Sequence, residues 1–304
     1  MAGRVQLPRL LLLVMVFFPP HLWPQRAKAA KPDSDTITEL VRRVVANYKS
    51  REAQLDNYTY LAHVARTEFD RNGKPKGKIT GTDEIMILEG APYRRTVLLN
   101  GRPSSPEQER QQQMLLEAEA SARRAGYNNH PVHNFFLAPI VQLPDEFRLR
   151  WRGQQLLGGH KVQMIEALPI DEQRPASSDQ EYARHFKMTL WIDADEAQIV
   201  RVESEVIRSV TLDQNLFEVS PDVKFSGVHT WRFEYARGTT TAMEWTKVND
   251  EAWLPKWSSW KTPKETVTAL TPTKPAVPIR SPEQLTATYS DYKKFRVDTH
   301  VVPK

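Results

Sequence analysis

Beyond residue 146 apolar and polar side chains alternate, and that period of two restricts the chain more than any other feature. Phe147, Leu149 and Trp151 are interleaved with Arg148, Arg150 and Arg152. Val162, Met164 and Leu168 continue the pattern, then Phe186, Met188, Leu190 and Ile192, then Val200, Val202 and Val206. Phe225, Trp231, Phe233 and Tyr235 follow, then Met243 and Trp245. Strands with one apolar and one polar face belong to an antiparallel sheet packed on one side and wet on the other. The arginine stripe, and with it Arg94-Arg95, is then the solvated face of a strand rather than a patch for the phosphates of lipid or nucleic acid.

The first half supplies helices for that sheet. Ile37, Leu40, Val41, Val44 and Val45 fall at helical spacing, with Glu39, Arg42 and Arg43 turned away, and Ser34 or Asp35 is placed to cap the first turn. This helix runs to about Gln54. Tyr58 to Phe69 reads as a strand closed by the turn Asp70–Gly73, because Asn-Gly readily takes positive φ. Asp83–Leu88 and Tyr93–Leu99 read as strands joined by Glu89-Gly90-Ala91-Pro92, and Asn100-Gly101 marks another turn. A second helix starts at Ser105, with Pro106 first and Gln108 completing a capping box, and stops at Gly126.

Residues 127–146 read as irregular, 171–181 as a polar loop, and 262–282, with five prolines, as an extended excursion before a last strand from Ala287 to Val301. About ten twisted strands tend to curl. The expected fold is mainly β with helices (α+β): a curled antiparallel sheet forming an unclosed barrel capped by helices. It occupies residues 30–304 as a single domain, with 105–126 as an inserted helix.

Residues 1–29 read as a cleaved secretory signal. Arg4 and Arg9 precede the apolar run Leu10–Phe18, and Ala27 and Ala29 offer small residues at −3 and −1 of a cleavage site. Nine apolar residues span about 14 Å as a helix, short of the ~30 Å hydrocarbon layer, so the segment is not an integral membrane anchor. The net charge of +5 belongs mostly to this segment. Arg4, Arg9, Arg26 and Lys28 lie in it with no acid, and their loss leaves +1. A basic surface for nucleic acid is therefore not expected. Export without any cysteine fits a bacterial periplasm.

The chemistry of catalysis is missing from the pattern. Zero cysteines exclude thiol enzymes, iron–sulfur sites and cysteine-ligated zinc. No Gly-x-Ser-x-Gly elbow, P-loop or dinucleotide fingerprint occurs. His130-Pro-Val-His133 has a proline where a metal-binding helix would run. Asp193-Ala-Asp195-Glu196 lacks the spaced oxygens of a calcium loop and reads as a hairpin turn. His160, His185 and His229 read as turn or strand histidines. A non-enzymatic protein without metal or other cofactor is expected. The apolar face formed by Phe186, Met188, Leu190, Phe225, Trp231, Phe233, Met243 and Trp245 remains as the candidate ligand-binding surface. Two arrangements satisfy it: an ordinary core beneath the helices, which the residues alone favour, or the lining of a hollow barrel.

Several segments resemble the outer-membrane lipoprotein-sorting family, the LolA-, LolB- and RseB-like periplasmic carriers. They are Leu190-Trp191-Ile192-Asp193 with Arg201-Val202-Glu203, Pro92-Tyr93-Arg94-Arg95 with Asn100-Gly101-Arg102-Pro103-Ser104, Trp253-Leu254-Pro255, and Tyr289-Ser290-Asp291-Tyr292-Lys293-Lys294-Phe295. The resemblance implies an unclosed antiparallel barrel capped by helices, with lipid or lipoprotein acyl chains inside. A module that instead binds an envelope protein, as sensor or scaffold, is the alternative on the same fold.

Overall fold

Helix α1 (Ser34–Leu55) opens the described structure with the expected apolar stripe turned inward: Ile37, Val41, Val44, Val45 and Tyr48 are all buried, while Glu39, Arg42 and Arg43 face solvent. Its cap is Asp33, one residue before the expected Ser34. The Asp33 carboxylate accepts from the Thr36 N–H at 2.7 Å, an interaction that holds the carboxyl below its usual range. The computed structural model describes residues 31–70, 72–126, 138–171, 175–218, 227–263, 265–269 and 282–294. The proposed signal segment, His130 and His133 lie outside them.

Eleven strands form one antiparallel sheet that does not close into a barrel. A first meander comprises β1 (Tyr58–Phe69), β2 (Pro75–Leu88), β3 (Ala91–Leu99) and the short β4 (Arg102–Pro103). Its hairpins are set by local chemistry: Glu89-Gly90 and Asn100-Gly101 both have positive φ at the two central positions. Ala91 and Pro92, expected in the first of these loops, belong to β3. A second meander comprises β5 (Phe147–Leu157), β6 (His160–Pro169), β7 (Phe186–Asp193) and β8 (Gln198–Val206). The polar run before β7 contains a helical turn, α3 (Ser178–Ala183), capped by Ser177, which accepts from the Gln180 N–H.

The meanders meet through strands from the end of the chain. β11 (Thr240–Val248) pairs with β8, β12 (Ala252–Thr262) with β11, and β14 (Glu283–Lys294) lies between β12 and β1. A smaller sheet contains β9 (Val210–Glu218), β10 (Gly227–Tyr235) and β13 (Glu265–Ala269), in the order β13-β10-β9. That order repeats β12-β11-β8, because each of these strands continues past a short break into the small sheet. The central strands bend along one line. Gly238, at φ +86°, and Pro263 lie there, and the buried hydroxyls of Thr239 and Thr262 are hydrogen-bonded at 3.0 Å. Phe186, Val206, Val210 and Tyr235 fill the inside of the bend.

The two outer edges differ. α2 (Pro106–Arg124) follows the edge strand β4, begins at the expected capping box, Ser105 with Gln108, and buries only Ala120, Ala122 and Arg123 near its C-terminal end. It leaves the sheet at Ser104, whose hydroxyl donates to the Thr96 carbonyl, and returns at Arg123. The buried Arg123 guanidinium donates to the carbonyls of Leu88, Ala91 and Pro92 at 2.8–3.0 Å and is paired with Glu119. At the other edge, β5 exposes Arg148, Arg150 and Arg152 and carries a bulge at Gly153, where φ is +135°. Charge and bulge both discourage a second chain from pairing there.

Arg123 is the tightest link between α2 and the sheet. Arg123→Met should cost about 2–4 kcal/mol, because it strands three carbonyls and one carboxylate. Ser105→Ala, which removes only the cap, should cost about 1 kcal/mol. Urea unfolding measures both, and α2 amides should exchange faster in Arg123→Met than in the wild type.

Candidate functional site

One rung of directly opposed residues crosses the sheet and shows how its inner face is used. It runs Trp151, Ile165, Leu190, Val202, Met243, Ser258, Ala287, Val64, Gly81, Leu99. Opposed residues share a face. Ile165, Leu190 and Val202 are at most 1% exposed, because α1 lies over them. At the far end Leu99 is 44% exposed. Between these extremes no helix among the described residues fills the space.

There the face forms a cavity of about 480 Å³, walled by β1, β2, β3, β11, β12 and β14, with Leu55 of α1 and Tyr235 of β10 at its margins. Tyr60, Ile85, Met243, Trp260, Leu285 and Tyr289 supply most of its bulk. The Tyr60 ring meets Tyr289 edge-on at 5.9 Å, and the Tyr289 hydroxyl is 2.9 Å from Ser258 Oγ. Burial pushes the phenols of Tyr60 and Tyr289 up, so both stay neutral at any physiological pH. Among the described residues, Asp83 and Arg94 are the charged ones on this wall.

A second depression, of about 490 Å³, lies on the opposite face and includes Glu166, Lys187, Glu203 and Glu205. It is as large but its charges are mutually satisfied: Glu166 pairs with Arg152, Glu203 with Arg201 and Glu205 with Lys187. Of the two, the first offers the mainly apolar surface, and among the described residues no side chain occupies it.

The candidate residues divide between core and cavity. Met188 and Leu190 belong to the core under α1, and Phe186 to the cluster at the bend, with Phe233 packed against it. Trp245 is 4% exposed beneath Arg51, whose guanidinium lies 4.3 Å from its ring. Met243 lines the cavity. Trp231 lies on β10 opposite Gln214 and Ala269, and Phe225, Ala27 and Ala29 fall outside the described residues. The remaining walls, Tyr60, Ala62, Val64, Leu285, Ala287 and Tyr289, come from strands that the sequence reading did not select. The segments were read as strands, Leu285 excepted, but nothing local marks them as the half that α1 leaves uncovered.

The Asp193–Glu196 run is a hairpin turn. Asp193 Oδ1 accepts from the N–H groups of Asp195 and Glu196, and its other oxygen lies 3.1 Å from His160 Nδ1. The His160 ring packs on Trp253 at 4.7 Å. Glu196 accepts from the Trp253 indole and Lys247, both at 2.9 Å, while Asn47 of α1 donates to the Glu196 and Ala197 carbonyls. The cluster thus fastens α1 to the ends of β8, β11 and β12. Among the described residues no three His, Asp or Glu side chains gather as a metal site.

No family model and no curated protein matches the chain. Three of the solved structures similar to it are the following. An outer membrane lipoprotein-sorting protein domain from Vibrio parahaemolyticus is 10% identical, with 84% of this chain and 93% of that one covered and a TM-score of 0.30. A LolA superfamily protein from Nitrosomonas europaea is 10% identical over 85% and 92%, with a TM-score of 0.25. A MucA/MucB complex from Pseudomonas aeruginosa gives 9% over 86% and 100%, with a TM-score of 0.24.

The lock at Glu196 makes one pH prediction. Hydrogen bonds from Trp253 and then Lys247 hold its carboxyl below the usual 4.5. A depressed folded-state value contributes stability that is complete above the unfolded value and disappears as pH falls through the folded one. The stability difference between wild type and Glu196→Gln should therefore be largest near pH 7 and shrink below about pH 4.5, as thermal unfolding across that range would show.

Proposed function

We propose that this chain is an exported, non-enzymatic binder or carrier that holds a lipid or lipoprotein acyl chain in the cavity beside α1. The carrying observation is the cavity itself: hundreds of cubic ångströms, walled mainly by aromatic and aliphatic side chains, on the face where the rest of the protein has its core. Met243 and the ring faces of Tyr60, Trp260 and Tyr289 suit an adaptable hydrocarbon. About ten buried methylenes would contribute ~8 kcal/mol at 0.8 kcal/mol each, enough for micromolar retention without a reactive group. Export and a periplasmic location rest on the proposed signal segment with its Ala27 and Ala29 cleavage site. Among the described residues no helix is long and apolar enough to cross a membrane.

The protein purified without detergent should yield lipid on solvent extraction and mass spectrometry, and should bind a fluorescent fatty acid with micromolar affinity. Val64→Phe, which fills part of the cavity from β1, should weaken that binding about tenfold, a loss of ~1.4 kcal/mol. Its melting temperature should stay within a few degrees of wild type. A protein that carries no lipid and ignores the fatty acid would rule the proposal out.

A further inference from the structure

A hydrocarbon ligand leaves one charged residue of the cavity wall, the exposed Arg94, without a role. This residue sits on β3 opposite Ile85, on the inner face, yet its side chain is 64% exposed, which places the guanidinium where the cavity opens. Its base is built from the buried Asp83 and the half-buried Thr96. Thr96 donates its hydroxyl to Asp83 Oδ1 at 2.7 Å, and Asp83 Oδ2 faces Arg94 Nε at 3.7 Å. The Asp83 side chain is only 9% exposed. The carboxylate therefore steadies the guanidinium from its Nε side, and the Nη groups are left for something at the mouth.

The neighbouring arginines are committed differently. Arg95, on the opposite face, is held by Glu84 at 2.5 Å, and Arg66, farther along the inner face, by Glu283 at 2.6 Å. Among the described residues Arg94 has no ion-pair partner except Asp83. A guanidinium fork matches the paired oxygens of a carboxylate or phosphate. A cationic ligand head finds no such match, since Asp83 is buried and already engaged by Thr96 and Arg94.

We infer that the ligand is an amphiphile with an anionic head, which Arg94 holds at the cavity mouth while the tail lies against Tyr60, Met243 and Trp260. This deepens the proposed function and rests on it. A volume of about 480 Å³ is that of a drug-sized molecule and suits a ligand with one hydrocarbon chain.

Three ligands with the same twelve-carbon tail separate the possibilities: dodecanoate, dodecyl phosphate and dodecanol, each competing against the neutral probe N-phenyl-1-naphthylamine. At least one of the anions should displace the probe at about tenfold lower concentration than dodecanol, and the order of the two anions tells carboxylate from phosphate. Arg94→Gln should abolish that preference and leave dodecanol unchanged, Arg94→Lys should retain part of it, and added salt should reduce it in the wild type only. Equal affinities for all three in the wild type, or a preference that survives Arg94→Gln, would overturn the inference while leaving an apolar binding cavity in place. If neither the probe nor any of the three binds, the cavity proposal itself fails and this inference with it.

Discussion

The seating of α1 on half of the sheet is the contact on which the rest depends. A sheet of eleven strands presents far more apolar surface on its inner face than one helix can cover. The stripe of Ile37, Val41, Val44, Val45 and Tyr48 makes β5 to β8 into a dry core. It leaves the strands from β3 to β11 to wall a cavity. Core and cavity are thus one surface in two states, and the difference between Leu190 and Val64, on the same rung, is the presence of the helix above. Asn47, Glu196 and Trp253 fix that position at the hairpin end, and Arg51 stacks on Trp245 within the core.

Two features keep the uncovered half from collapsing or closing. The last strand, β14, joins the first meander to β12, so the cavity wall is a continuous hydrogen-bonded ladder. Beyond the breaks near Gly238 and Pro263 the strands continue into the small sheet, and Tyr235 of that sheet lines the cavity. At the β5 edge, exposed arginines and a bulge discourage pairing to another chain.

Much of this was legible in the sequence wherever a local rule decides. Asn100-Gly101 requires a tight turn, Ser105-Pro106 with Gln108 requires a helix start, and the alternation in β5 to β8 requires one buried face. Small displacements occurred where two residues could serve equally, as with Asp33 and Ser34, or where a polar composition concealed the Ser177–Gln180 cap. What stayed hidden is long-range. No property of Leu285, Ala287 and Tyr289 reveals that their strand lies between β1 and β12. Nor does anything in Met188 or Leu190 distinguish a residue under α1 from one beside it. Alternation gives a face, and only tertiary packing decides whether that face is filled. Asp83 gave no signal, and Arg94, read with Arg95 as the solvated face of a strand, is set apart only by the pairing of β2 with β3 that brings Asp83 beside it.

The division of one face into core and cavity is tested most directly by locating a bound hydrocarbon. A crystal of the protein with a fatty acid brominated near its terminal carbon should show an anomalous bromine peak among Tyr60, Met243, Trp260 and Tyr289. A peak between α1 and the Met188–Leu190 surface, or no bound bromine at saturating ligand, would contradict the account.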